Sequence, residues 1–265
     1  MTFTNEVITS SYDVRDYKII AAEEFPETFS LPILPAVKNQ GNKPTCVAHA
    51  ASSVIEYFHE KEHLKRRVFS TEFIYGFRDS YYYIGDGMVI RDALKTLQQY
   101  GVPYNTVCPG NHDVQEAMEI VESDLMNYLD AAYPNKIESY YRCNSTEDIK
   151  TALMLHGPVL VSMNTYKNAK IVNDEYTYNK SDKSGRHCVM IYGWNETGWL
   201  IQNSWGKLWA GDGRFKLPYS FNFNEAWGLT DAPDPVNIKK PNAFLILIHR
   251  IWNRIVNLFT KKAKD

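Results

Sequence analysis

Val37-Lys38-Asn39-Gln40-Gly41-Asn42-Lys43-Pro44-Thr45-Cys46-Val47-Ala48-His49-Ala50 takes the chain from an irregular loop into a helix-forming run, with Cys46 at the junction. Beyond it Val47, Ala50, Ala51, Val54, Ile55 and Phe58 recur at intervals of three and four, the spacing of one helix face. The pattern predicts a helix whose first turn holds Cys46 and which runs out in the charged stretch from His59 to Arg67. Far downstream, Gly185-Arg186-His187-Cys188-Val189-Met190-Ile191-Tyr192-Gly193-Trp194 has the opposite texture, an apolar run of strand length headed by His187. Gln202-Asn203-Ser204-Trp205-Gly206 follows it. A thiol at a helix start and an imidazole at a strand start set the terms for the rest of the chain.

Working outward, further helices are expected from Ser70, a suitable N-cap with Glu72 behind it, and from about Ile90 to Tyr100, where Gly101 stops the run. The region Asp113 to Ala132 also has helical spacing, and Ser145-Thr146-Glu147-Asp148 opens a helix that ends before Gly157. After Gly157-Pro158 the texture changes. Val159 to Met163, His187 to Tyr192, Gly198 to Gln202 and Gly213 to Leu217 read as short strands between turn residues. A helical first part (about 31–150) and a β-rich second part (about 151–230) predict an α+β fold in two lobes. Residues 1–30 read as an extended, polar arm that serves either as a lid or as an inert leader. Residues 231–241, with three prolines, read as a linker, and 242–265 as a basic amphipathic helix.

With 29 Lys and Arg against 31 Asp and Glu, the net charge of −2 conceals an asymmetry. Lys239, Lys240, Arg250, Arg254, Lys261, Lys262 and Lys264 crowd the last thirty residues, which leaves an acidic body. An acidic body argues against a nucleic-acid partner, because phosphate neutralisation needs a basic face. The four cysteines, Cys46, Cys108, Cys143 and Cys188, have no CxxC spacing, so neither a zinc site nor a disulfide framework is expected. The start Met1-Thr2-Phe3-Thr4-Asn5-Glu6 lacks the basic and apolar segments of a secretion signal, and a reducing, cytoplasmic setting is the simpler expectation. In the last helix Phe244, Leu245, Ile248, Ile251, Trp252, Ile255, Leu258 and Phe259 share a face. His249, Arg250 and Arg254 interrupt any run of the about 20 apolar residues that a bilayer span needs. The 242–262 helix is left with three roles: packing on a monomeric body, docking a protein partner, or lying peripherally on a membrane.

A thiol attacks a carbonyl as thiolate, and its pKa falls from about 8.5 toward roughly 3.5 to 7.5 at a helix N-terminus beside an imidazolium. Cys46 meets the first condition by its position, and His187 would meet the second if the fold brings it close. Asn203 suits the orientation of that histidine, since an amide oxygen accepts from the ring without adding a full charge. Trp205, two residues on, is placed to shield that hydrogen bond from water. The Gln40 side chain and the Cys46 backbone N–H would supply donors to an oxyanion. No cofactor or metal is called for. His49, one turn after Cys46, is expected as a core residue.

The Gln40-to-Cys46 interval of six, the His187-to-Asn203 interval of sixteen and Asn203-Ser204-Trp205-Gly206-x-x-Trp209-x-x-x-Gly213 resemble the papain family of cysteine peptidases, from about Leu34 to Leu217. The resemblance implies a helical lobe and an antiparallel, barrel-like lobe with the active site in the cleft between them. It further implies an endopeptidase for polypeptides, with substrate backbone along Gly87 and a pocket walled by Met88, Ser162 and Cys188. Departures from the family pattern are Lys43, Pro44-Thr45 and Val47, where a cysteine, glycine-serine and tryptophan usually stand, so the local disulfide is missing. The arm, with Asp13-Val14-Arg15-Asp16-Tyr17, resembles the short leaders of bacterial and viral members. Two rivals remain: transamidation or ligation through the same thioester, and an interaction or membrane-docking protein on an idle scaffold with the C-terminal helix as its working part.

Overall fold

The computed structural model describes residues 7–11, 13, 17–19, 22, 24–78, 85–231, 246–248 and 250–252. The arm holds three two-residue strands, β1 (Val7–Ile8), β2 (Tyr17–Lys18) and β3 (Phe29–Ser30). The helical part comprises α1 (Cys46–His63), α2 (Thr71–Gly76), β4 (Met88–Val89), α3 (Ile90–Gln99), α4 (Val114–Ser123) and α5 (Leu125–Ala132). Then come β5 (Ile137–Cys143), α6 (Thr146–Leu155), β6 (Val159–Tyr166), β7 (Lys170–Val172), β8 (Glu175–Thr177), β9 (Lys183–Asn195), β10 (Gly198–Gln202), β11 (Arg214–Pro218) and β12 (Glu225–Asp231). β5 precedes the expected boundary near 150 and α6 straddles it, yet both pack with the sheet strands.

Local chemistry sets the helix ends. The Ser70 hydroxyl oxygen accepts from Phe73 N–H at 2.9 Å, which makes Ser70 the N-cap of α2. Gly101, just past α3, has φ +79° and takes hydrogen bonds from its N–H to Thr96 O and Leu97 O. A Cβ there would lie 2.1 Å from Ala132 O, so both the left-handed backbone and the close approach of α5 require glycine. The single helical stretch expected over 113–132 breaks at Asp124, whose φ of −138° and ψ of 37° are not helical, and the chain changes direction between α4 and α5.

β9 is the central strand. Its Cys188 and Met190, with Leu160 of β6 and Trp227 of β12, face a core shared with α1. Val189 and Ile191, with Val159, Val161 and Met163, face a second core that includes Ile149, Ala152 and Leu153 of α6. Burial on both faces explains why this strand reads as a continuous apolar run rather than an alternating one.

The barrel-like closure expected for this lobe is not what forms. Ten strands make one open sheet in the order β2-β5-β12-β6-β9-β10-β11-β8-β7, with β3 pairing β9 off that path. Its centre is antiparallel, but β2 joins β5 and β8 joins β11 in parallel. The short arm strand β2 takes one edge and the β7–β8 hairpin the other, so the two edges do not meet.

Of the expected C-terminal helix, Ile246 to Ile248 and Arg250 to Trp252 are helical, and the expected linker beyond Asp231 lies outside the described residues. Ile246 and Leu247 pack against the helical core. Arg250 bonds Glu122 at 3.1 Å, donates to Gly76 O at 2.6 Å and sits 4.7 Å over the Phe77 ring. Among the described residues no helix is long and apolar enough to cross a membrane.

Candidate active site

Cys46 opens α1, and no acidic residue stands in that helix's first turn, so its exposed N–H dipoles are not offset by a carboxylate. Thr45 is held by its hydroxyl donating to Asn111 Oδ1 at 2.9 Å. α1 packs across β9. As a result Cys46 acts electrostatically on Cys188, and His187 acts on His49 one turn along α1 from the thiol.

His187 is buried, and its Nε2 lies 2.7 Å from Asn203 Oδ1. An amide oxygen only accepts, so Nε2 carries the proton and Nδ1 is left as the basic nitrogen of the neutral ring. That Nδ1 is buried without a hydrogen-bond partner. Asn203 Oδ1 also accepts from Ser204 N–H at 2.8 Å, which fixes its direction. Trp205 stacks on the imidazole at 4.5 Å with planes 20° apart, and Trp209 meets Trp205 edge-on at 5.0 Å. The spacing of this segment has a mechanical cause. Gly206 N–H bonds Lys38 O, Trp209 N–H bonds Gly206 O, Gly213 N–H bonds Trp209 O and Asn203 N–H bonds Gly213 O, a closed loop that presents Asn203 and Trp205 together.

The same loop positions Gln40. Gln40 N–H donates to Ser204 O at 2.8 Å, and the Ser204 hydroxyl donates to Gln40 Oε1 at 2.6 Å. One of its Nε2 hydrogens goes to Lys43 O at 2.9 Å, and Asn111 Nδ2 holds its carbonyl at 2.9 Å. Ser204 and Asn111 are therefore part of the site's framework. Neither stood out in the sequence, since each acts through partners more than a hundred or about seventy residues away.

Of the residues expected to meet substrate, Ser162 lies opposite Cys188 across β6 and β9 and opposite Glu225 across β6 and β12, so the three share one sheet face. Glu225 is a buried carboxylate that accepts from Trp227 Nε1–H at 2.9 Å. Met88, Ser162 and Cys188 are apolar or neutral, and Glu225 adds a carboxylate to the wall they form. Gly87 and Met88 are buried at the facing edge.

The arm runs across this ground. β1 pairs in parallel with β4, Val7 opposite Met88 and Ile8 opposite Val89. Arg186 Nη1 donates to Thr9 Oγ1 at 2.6 Å, and Ser10 N–H reaches both Glu225 oxygens at 3.3 Å. Residues 7–10 thus bridge the edge at Met88 and the sheet beside His187. Cys46 is 0% and His187 1% exposed. A cavity of about 530 Å³ lined by Ile8, Ser10, Arg91, Tyr100 and Arg250 includes neither of them.

Burial also sets the protonation states. All four cysteines are buried and none is in a disulfide. Burial pushes Cys108 up to about 11 and Cys143 to about 12, and it raises Cys188 well above an ordinary thiol, with the Cys46 and Glu225 charges adding to that rise. His187 is held down to about 4 by burial, against the Asn203 hydrogen bond that raises it. His49 is held down to about 4 chiefly by burial, while its bond to Thr45 O raises it. It is the core residue the sequence suggested.

An imidazole near 6.5 when unfolded and about 4 when folded binds a proton more readily in the unfolded chain. Its contribution to stability is complete above pH 6.5 and is lost as pH falls toward 4, by at most roughly 3 kcal/mol per group. The thermal midpoint followed by circular dichroism is therefore expected to drop from pH 7 to pH 5, and to drop less steeply in His49→Gln. A profile flat over that range in the parent chain would contradict two buried neutral imidazoles.

A thiol-bearing helix start packed on a strand that carries an Asn-oriented histidine defines the cysteine-peptidase class of α+β proteins. The chain belongs to the papain family of cysteine proteases, which it matches over residues 29–231. It is 25% identical over 236 residues to the uncharacterized peptidase C1-like protein L477 of Acanthamoeba polyphaga mimivirus, spanning 78% of this chain and 73% of that one. Over 84 residues it is 34% identical to cathepsin B-like protease 1 of Arabidopsis thaliana, a stretch covering 29% of this chain and 22% of that protein. The fold is shared with xylellain, a cysteine protease from Xylella fastidiosa, at a TM-score of 0.73 and 22% identity over 86% of this chain and 96% of that one.

Proposed function

We propose that the protein hydrolyses peptide bonds through an acyl-enzyme on Cys46, with His187 as acid and base, and that residues 7–10 of the arm restrain it. The observation that carries the reading is the His187–Asn203 hydrogen bond, which leaves Nδ1 of a ring stacked under Trp205 as the only basic nitrogen. Nδ1 takes the thiol proton, and the thiolate at the start of α1 attacks the scissile carbonyl. The oxyanion that forms is met by the Cys46 backbone N–H and by the Gln40 Nε2 hydrogen not bound to Lys43 O. Collapse expels the amine, which leaves with the proton from His187. Water then attacks the thioester as His187 takes one of its protons, and Cys46 is regenerated when the carboxylic acid departs.

Polypeptide substrate lies along Gly87 and Met88, with Ser162 and Cys188 as the facing wall, the ground on which β1 now rests. The same thioester would serve transamidation, and product mass in the presence of an added amine separates that outcome from hydrolysis.

Alkylation by a peptidyl epoxide tests the site directly. Peptide mapping of the full chain is expected to show a single adduct on Cys46, with Cys108, Cys143 and Cys188 unmodified because burial keeps their thiols protonated. Labelling passes through molecules whose arm is released, and in these thiolate content alone makes His187→Ala up to roughly 30-fold slower to label at pH 7. Comparable labelling of the other cysteines, or a rate indifferent to His187, would mark an idle scaffold.

A further inference from the structure

The helical residues 246–248 and 250–252 present two unlike faces. Ile246, Leu247 and Arg250 turn toward the body and are anchored there by Phe77, Glu122 and Gly76 O. On the other side Ile248, Ile251 and Trp252, spaced at i, i+3 and i+4, are 47%, 45% and 63% exposed. Three large apolar side chains held on one face of a docked helix form a patch of the kind that marks an interaction site.

Charge indicates the occupant. In sequence Ile255 and Phe259 recur at the same helical spacing, and Arg254, Lys261, Lys262 and Lys264 follow, whereas the body carries the excess of acid. An anionic surface would therefore attract this end of the chain and repel the rest, which orients the protein as it docks. Tryptophan and isoleucine beside lysine and arginine suit the boundary between lipid headgroups and acyl chains, where a ring with an N–H and a cationic stem are both accommodated. A second copy of the chain offers an acidic body too. Among the described residues, however, its other exposed large apolar side chains do not repeat this stripe: Leu64, Met126 and Leu208 stand apart, and Met154 and Leu155 on α6 are sequence neighbours rather than a spaced set of three.

We infer that the face formed by Ile248, Ile251 and Trp252 docks the protein on the surface of an anionic lipid bilayer. The interaction is peripheral, driven by burial of the three side chains at the interface and by attraction of the basic end to anionic headgroups. It is independent of catalysis at Cys46.

Sedimentation of the full chain with phosphatidylcholine vesicles, with and without phosphatidylserine, tests it. Binding is expected to vesicles containing phosphatidylserine, to weaken by about tenfold or more in pure phosphatidylcholine, and to weaken with added salt. The variant Ile251→Glu/Trp252→Glu should lose about tenfold or more in bound-to-free ratio while its circular dichroism and melting midpoint match the parent, since both side chains face solvent. No binding to anionic vesicles, or equal binding by the double variant, overturns the inference. So does a lipid-free dimer in analytical ultracentrifugation that the same variant dissociates, which would assign the face to a second copy.

Discussion

Cys46→Ala is expected to lower turnover of a peptide substrate by at least about 10⁴-fold, the order seen when a nucleophile is removed from a site whose groups act as a unit. The loss is that large because, among the described residues, no second activated thiol stands beside His187 to form the proposed acyl intermediate. Cys188 is the nearest alternative thiol, but burial and the neighbouring negative charges hold it protonated. It is also fully buried, packed in the core shared with α1. The fold should survive. Cys46 is fully buried at a helix start, where alanine is well tolerated, and the lost sulfur costs on the order of 1 kcal/mol. Turnover by purified Cys46→Ala with an unchanged melting midpoint would refute the acyl-enzyme, whereas inactivity accompanied by unfolding would be resolved with Cys46→Ser, which preserves the site's volume.

Legibility in the sequence followed length and locality. α1 and α3 were readable because their apolar residues repeat over two turns or more, and β6, β9, β10 and β11 because turn residues bound them. β5 was missed: Ile137-Glu138-Ser139-Tyr140-Tyr141-Arg142-Cys143 has no clean alternation, since Ser139 interrupts the buried series Ile137, Tyr141 and Cys143 while Tyr140 on the other face packs on Trp227. β12 was missed because it begins with Glu225, a charge that is buried only through bonds to Trp227 and Ser10. The arm strands are two residues long, too short for any period, and exist only because Met88–Val89, Tyr141–Arg142 and Gly193–Trp194 offer open backbone. The four residues proposed for the chemistry stand out by motif spacing. Their supports, Ser204, Asn111 and Lys43 O, do not, because each acts through a contact that only the folded chain creates.

Removing residues 1–11 is expected to raise kcat/KM of the full-length activity by about 10- to 100-fold. A segment tethered to the body competes at high effective concentration for the ground that substrate must occupy, and the gain equals the reciprocal of the fraction of molecules with the arm released. An open fraction of roughly 1 to 10% gives the stated range. The restraint has three separable parts: the β1–β4 pairing, the Arg186 to Thr9 bond, and the Ser10 N–H shared by the Glu225 oxygens. Ser10→Pro deletes that N–H and leaves every body residue in place, so it should produce a smaller gain than truncation. Truncation also exposes surface that Val7 covers, and a modest fall in the melting midpoint should accompany the gain, because Val7 is 4% exposed in the core that includes Cys46 and Met88. Resolvation of His187 is a further consequence. Its imidazole, held near 4 chiefly by burial, should titrate closer to its ordinary range once water reaches it, so the truncated chain should stabilise the thiolate–imidazolium pair at neutral pH where the covered chain does not. Activity and epoxide labelling measured against pH on both chains decide the matter: parallel profiles with no gain would show that residues 7–10 are a structural edge and the cleft is already open to substrate.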